Sequence, residues 1–324
     1  MSDSSPPALP RRLLAPQHWP AWLGLGVVWL LARLPWRALM ALASGFGRLL
    51  GRLPTSRRRI AARNIELCFP ELDARARAEL LAANMRDLGL MLGEFSLGWM
   101  GSDRAMARIP LQIEGLEHLR ALAGQGRGGL LVGAHFSHLE LCARLVSRHL
   151  PIAGMYREMD SPVFEWAVLR ARLGYARDMF TKNDTLGSVR YLKRGGVLWY
   201  APDQDMRGKG HVFAPFFGIE AATITATHHL ARLSGAAVLP FFHQRLDDGG
   251  YAIRIGAPLE DFPGRDVIAD TTRVNAEIEH MVRAAPEQYL WAHKRFKTRP
   301  EGEPGVYESG HSGTGDRGPG TGGM

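Results

Sequence analysis

The sequence predicts an α/β fold, a mixed sheet with helices on its faces, preceded by an N-terminal membrane-associated helix. Three observations carry this expectation. Short apolar runs of strand length alternate with helix-length amphipathic stretches through most of the chain. The 324 residues are 46% hydrophobic, enough to bury a full core. The stretch from Trp19 to Ala32 carries no charge and is followed by an arginine-rich segment.

That stretch comes first in the chain. Apolar character breaks at Arg33-Leu34-Pro35-Trp36-Arg37 and resumes from Ala38 to Phe46, so neither piece reaches the roughly 20 apolar residues of a usual spanning helix. The tryptophans suit a headgroup-level belt, and no Ala-x-Ala site marks a cleaved leader. Arg48, Arg52, Arg57, Arg58, Arg59 and Arg63 follow. By the positive-inside rule they place the body of the chain on the cytoplasmic face. A transmembrane or interfacial anchor over residues 18–53 is expected; the bland alternative is a buried core helix.

Residues 60–98 read as amphipathic helices and Leu111 to Leu116 as a strand before a helix over Glu117 to Ala123. Strands are expected over Gly129 to Ala134, Ile152 to Tyr156, Val197 to Ala201, Ala237 to Arg245 and Tyr251 to Ile255. Helices are expected over Leu139 to Leu150, Pro162 to Leu173, Thr185 to Lys193, Thr223 to Leu233 and Val267 to Arg283. Between Asp203 and Gly218 the chain reads as a loop in which Arg207 and Lys209 are suited to hold phosphate. It lacks the Gly-x4-Gly-Lys-Ser/Thr of a Walker loop. Past Pro300 the sequence is rich in Gly, Ser, Pro and Thr and is expected to be a disordered tail over 301–324. The main domain is then 54–300, after a short N-terminal tail of 1–17.

Ligands of such sheets gather at the carboxyl ends of strands. His135, Arg157 and Asp203 all fall at such ends. The sharpest pattern is His135-Phe136-Ser137-His138-Leu139-Glu140, directly after the apolar run ending Val132-Gly133-Ala134. Five residues of continuous helix would put the two side chains about 140° apart. His135 therefore belongs on the turn and Glu140 in the first turns of the next helix, where carboxylate and imidazole can meet. A carboxylate on one ring nitrogen fixes the tautomer and raises the basicity of the other. Taken alone, the pair is as readily a loop histidine and a solvated glutamate. His138 is a rival base, and Ser137 lacks the Gly-x-Ser-x-Gly context of a nucleophile.

Composition narrows the alternatives. Cys68 and Cys142 are too few and too far apart for a disulfide framework or a zinc motif, which fits a reducing compartment. The formal charge of +8 lies largely near the N-terminus, beside apolar residues and without a zinc-finger, helix-turn-helix or RNP-like motif, so a membrane is favoured over nucleic acid. A zinc hydrolase built on His135, His138 and Glu140 lacks a distant ligand set, and a non-enzymatic scaffold would need no base and carboxylate at all.

The strand-His-x4-Glu arrangement is joined by Gly154-Met155-Tyr156-Arg157, by Trp199-Tyr200-Ala201-Pro202-Asp203-Gln204-Asp205, and by Ala285 to Trp291 with Arg295 to Pro300. Together with Arg63 to Glu71, these residues resemble the late (secondary) acyltransferases of lipid A biosynthesis, most closely the lauroyl-transferase branch, over about Leu13 to Tyr307. The resemblance implies a glycerolipid acyltransferase-like fold, inner-membrane residence, an acyl carrier protein thioester as donor and a Kdo-bearing lipid A precursor as acceptor, with no metal or cofactor. It further implies that His135 is the general base, that Glu140 orients it, and that Arg157 and Asp203 lie along the active-site cleft; Asp205, Arg207 and Lys209 are further substrate-binding candidates. An acyltransferase acting on another glycolipid or phospholipid is the alternative.

Overall fold

The computed structural model describes residues 5–206, 208 and 210–307. Arg207, Lys209 and the stretch 308–324, including most of the expected tail, lie outside the described residues.

The uncharged N-terminal run does not form one long rod. Pro35 disfavours helix at the residue before it and has no N–H to offer, so the chain divides into α1 (Trp19–Leu31) and α2 (Trp36–Arg52). No helix among the described residues is long and apolar enough to cross a membrane. The expectation of a transmembrane helix is therefore corrected: α1 has 13 residues and α2 has 17. The second helix lies along α4 (Ala74–Met100), burying Leu39 and Ala43. Gly47 and Gly89 let the two backbones touch; a Cβ on Gly89 would stand 2.4 Å from the Ala43 carbonyl. Between them, α3 (Ser56–Cys68) is capped by Thr55, whose hydroxyl accepts from Arg58 N.

After the short α5 (Asp103–Met106), β1 (Leu111–Glu114) and α6 (Leu116–Gly124), the alternating core begins. It comprises β2 (Gly129–Val132), α7 (Leu139–Ser147), β3 (Ile152–Tyr156), α8 (Pro162–Leu173), β4 (Met179–Thr181), α9 (Thr185–Lys193) and β5 (Val197–Tyr200). A hairpin of β6 (His211–Phe216) and β7 (Ile219–Ile224) follows, then α10 (Ala226–Ser234), β8 (Ala237–Arg245), β9 (Tyr251–Ile255) and α11 (Val267–Ala284). The seven-stranded sheet has the order β1-β9-β8-β2-β5-β3-β4. All its pairings are parallel except β8 with β9, so the sheet is mixed. β2 is buried along its whole length, as a central parallel strand covered on both faces must be.

Two elements depart from expectation. β4 is only three residues long, too short for periodicity to show. The hairpin occupies much of what reads as a loop, and it takes Thr223 and Ile224 from the expected helix. Its turn is Phe217-Gly218, with φ of 52° and 73°, the two-residue geometry whose twist matches antiparallel strands. Phenylalanine is a poor residue for a positive φ. It is held there by a hydrogen bond from its N–H to Glu279 Oε1 (2.7 Å) and by the Arg283 guanidinium 4.6 Å above its ring.

Candidate active site

β2 and β5 run side by side and end together, which brings residues 68 apart in sequence to one point. Gly133 N–H donates to the Tyr200 carbonyl, continuing the ladder one residue beyond β2. Glycine is required there, since a Cβ would stand 2.8 Å from Trp199 Nε1 and 3.0 Å from the Phe241 carbonyl. The chain then turns, and His135 emerges 29% exposed, the most accessible side chain of an otherwise buried turn.

The turn is braced from behind. Ser137 N–H donates to the Gln288 carbonyl, Leu290 N–H to the His135 carbonyl, and Phe136 bridges Tyr289. That brace is itself fixed by Asn84, whose amide donates to the Glu287 and Tyr289 carbonyls, and by Asn64, which does the same to Trp291 and His293. Arg245, at the end of β8, reaches Ser137 Oγ (3.1 Å) while holding Asp87 and Glu94 of α4. The Ala285 to Trp291 motif thus acts as scaffold for the histidine turn.

The carboxylate on His135 is Asp203. Its Oδ1 lies 2.5 Å from His135 Nδ1, and its Oδ2 accepts from the His135 backbone N–H at 2.9 Å. A carboxylate only accepts, so Nδ1 carries the proton and the lone pair is on Nε2. Burial opposes protonation of the imidazole. The charge and hydrogen bond of Asp203, with the charge of Glu140 behind them, outweigh it and lift His135 above the ordinary histidine value. Asp203, 1% exposed, is held down to about 2: burial favours its neutral form but His135 and the donated hydrogen bonds win.

This corrects two expectations. Glu140 does not meet His135; it forms an ion pair with Arg172 of α8 and accepts from Trp99 Nε1 (2.8 Å). Asp203 is the histidine's partner rather than a polar group lining a cleft. Glu140 is still close, and both it and His135 line one cavity. Arg172, in turn, is held protonated by Glu140 although burial works against its charge. Asp205 is committed elsewhere: its carboxylate accepts from Thr298 N–H (2.9 Å) and Thr298 Oγ1 (3.1 Å), tying the strand end to the Arg295-to-Pro300 motif. Arg157 stands at the end of β3 on the cavity rim, largely exposed and paired with the equally exposed Asp160. His138 is fully buried, which removes it as a rival base.

The cavity has a volume of about 290 Å³. It runs from His135 between α7 and β3, past Leu139, Ala143, Val146, Ile152 and Met155 to Met179 and Tyr175. Its wall is largely apolar, and beside His135 its lining includes Glu140, Tyr156, Arg157, Arg172 and Tyr175. Such a shape accepts a flexible hydrocarbon with one reactive end.

The family model for bacterial lipid A biosynthesis acyltransferase matches residues 7–298. The chain belongs to this family. It is 41% identical to the lipid A biosynthesis lauroyltransferase of Escherichia coli (strain K12), over 93% of this chain and 99% of that one. It is 40% identical to the palmitoleoyltransferase of the same organism, over 92% and 97%. The myristoyltransferase of that organism is 29% identical over 89% and 90%. This lipid A acyltransferase is therefore an O-acyltransferase. Arg172, Trp99 and Gln288 are the positioning groups that the sequence leaves silent, because their partners lie on other elements.

If Asp203 sets the tautomer and basicity of His135, Asp203→Asn lowers kcat/KM about 100-fold and moves the acidic limb of its pH profile. The sign follows from the base needing to be neutral. With His135 as the base, native activity is expected to rise with pH through its elevated pKa, and removing the carboxylate charge should bring that limb down in pH. A variant whose limb does not move would remove Asp203 from this role.

Proposed function

We propose that this enzyme transfers an acyl chain from an acyl carrier protein thioester to the hydroxyl of a 3-hydroxyacyl group on a Kdo-bearing lipid A precursor, with His135 as general base and no covalent acyl-enzyme. The observation that carries this reading is the free Nε2 of His135 on a largely apolar cavity. Nε2 takes the proton of the acceptor hydroxyl as its oxygen attacks the thioester carbonyl. The C–S bond then breaks, the leaving thiolate takes the proton from the imidazolium, and an ester and a free thiol result. Asp203 and, at longer range, Glu140 stabilise the imidazolium between these steps.

The negative oxygen of the tetrahedral intermediate needs donors. The N–H groups of Gly133, His135, Phe136, Ser137 and Leu139 already donate within the protein. We assign a side-chain cation to this role: Arg157 on the rim, held only by an exposed carboxylate. The cavity takes the acyl chain of the donor.

The N-terminal helices support a lipid surface as the place of action. Trp19, Leu23, Leu30, Leu42, Phe46 and Leu49 are exposed on α1 and α2, with Arg33, Arg37, Arg48 and Arg52 among them. That is the pattern of helices lying in the headgroup region of an anionic bilayer. The α1–α2 helix pair packs on α4 and, through Trp22 and Leu25, on α8, the helices that hold Glu140. Inner-membrane residence on the cytoplasmic face follows from this reading. Leu23 is 74% exposed, and Leu23→Glu is expected to weaken binding to anionic vesicles more than tenfold in a flotation assay, given about 1.5–3 kcal/mol for burying a leucine. Undiminished flotation would sink the interfacial reading.

The direct test is mass spectrometry of the precursor incubated with detergent-solubilised enzyme and acyl carrier protein thioesters of graded chain length. One acyl mass gain, falling away for chains longer than the cavity holds, is the expected result. No gain with folded enzyme, but acylation of another glycolipid or a phospholipid, would replace the acceptor.

A further inference from the structure

Beside the turn lies a second group of reactive side chains, one of them His243 on the cavity wall, to which the proposed acyl transfer gives no chemical role. His138 closes the turn and stands at the N-terminus of α7, Cys142 follows four residues later on the same helix face, and His243 comes from β8. Each is 0% exposed. Their potential donor atoms all lie within 4.8 Å of one another, and the two imidazole rings meet edge-on at a right angle with centroids 4.8 Å apart.

None of the four ring nitrogens has a hydrogen-bond partner of ordinary geometry among the described residues; the backbone of His243 is a weak contact of His138. An imidazole must carry at least one N–H, and a buried donor left unpaired costs about 1–3 kcal/mol. Two such rings side by side, next to a thiol, need a reason.

We propose that His138, Cys142 and His243 bind one divalent cation of the zinc class. Two imidazoles and a thiolate are a donor set suited to Zn²⁺, which takes nitrogen at about 2.0–2.1 Å and sulfur at about 2.3 Å in a tetrahedron. Ligand atoms around such an ion lie about 3.3–3.6 Å apart, so the present triangle closes by about 1.5 Å at most. Two nitrogen lone pairs are donated, and the Cys142 thiol gives up its proton to solvent as the metal–sulfur bond forms.

Charge favours the same occupant. Asp87 and Glu94 carry two negative charges against the single positive charge of Arg245 in the buried network beside the site. With the thiolate, the surplus is two negative charges, which a divalent ion cancels. Glu94 is near enough to act on both Cys142 and His243. The ion would pin the start of α7 to β8 and so hold the turn that carries His135. It takes no part in the proton transfer.

The test uses untagged full-length enzyme, stripped with chelator and titrated with Co²⁺. One equivalent per chain should bind, with a near-ultraviolet thiolate-to-cobalt band, release of one proton, displacement by Zn²⁺ and a higher melting temperature. Cys142→Ser should abolish the band while Cys68→Ser keeps it. His243→Phe, which fills the same space without a ligand atom, should weaken binding by at least about 10- to 100-fold. Circular dichroism shows that each variant is folded. Absence of the band in the wild type would overturn the site and leave two imidazoles merely packed together; persistence in folded Cys142→Ser would overturn it equally.

Discussion

His135→Ala is expected to lower kcat about 10²- to 10⁴-fold, the usual contribution of a positioned base, with KM for both substrates little changed. The imidazole is the one accessible base of the turn, its Nδ1 is committed to Asp203, and its Nε2 is left for substrate. Alanine leaves the backbone bonds of the turn in place, because those are made by Gly133, Ser137 and Leu290. The variant should therefore stay folded, with a lower melting temperature because buried Asp203 loses its ring partner. Single-turnover transfer, read as acyl mass gain, separates the chemical step from binding. A rate within tenfold of the wild type would show that the base is elsewhere. His138, fully buried, is no substitute.

How much of this site the sequence discloses depends on how far apart its partners lie. The strand ends are legible because an apolar run followed by Gly133 states where β2 stops and what must follow it. His135 and Glu140 are legible as residues, being five apart, but their contact is misread. The nearest carboxylate in sequence is not the nearest in space: β5 pairs with β2 in parallel and delivers Asp203, 68 residues on, to Nδ1. Arg172 takes Glu140 from a third element, and nothing in the local pattern of α8 announces it. The hairpin is hidden for a different reason. Its turn places Phe217 at positive φ where Asn or Asp would have signalled it, and the holding contacts come from Glu279 and Arg283 on α11. At the N-terminus, composition foretells an apolar surface, and only Pro35 with its flanking arginines tells how it is divided.

The largest effect on stability is expected at Arg245. Its guanidinium meets Asp87 Oδ1 at 2.5 Å and Glu94 at 2.8 and 3.0 Å, while Tyr251 donates to Glu94 at 2.6 Å. Both carboxylates are almost wholly buried, so Arg245→Met leaves two charges of one sign in the core, seven residues apart on α4. Removing one partner of such a network costs about 3–5 kcal/mol, which for a chain of this size is a fall of about 4–7 °C in melting temperature. The pH dependence fixes the cause. Burial already pushes Asp87 up to about 6 despite Arg245. A carboxyl raised in the folded state favours folding below its unfolded value of about 3.9 and loses that contribution as pH rises through its folded value. Without Arg245 the folded value climbs further, so the gap between variant and wild type should widen from pH 5 to pH 8. Adding Asp87→Asn and Glu94→Gln to Arg245→Met should recover much of the loss, since the penalty is the unpaired charge. A variant that melts within about 2 °C of the wild type at pH 8, or a gap that does not grow with pH, would show that the network is not what fixes α4 to the catalytic turn.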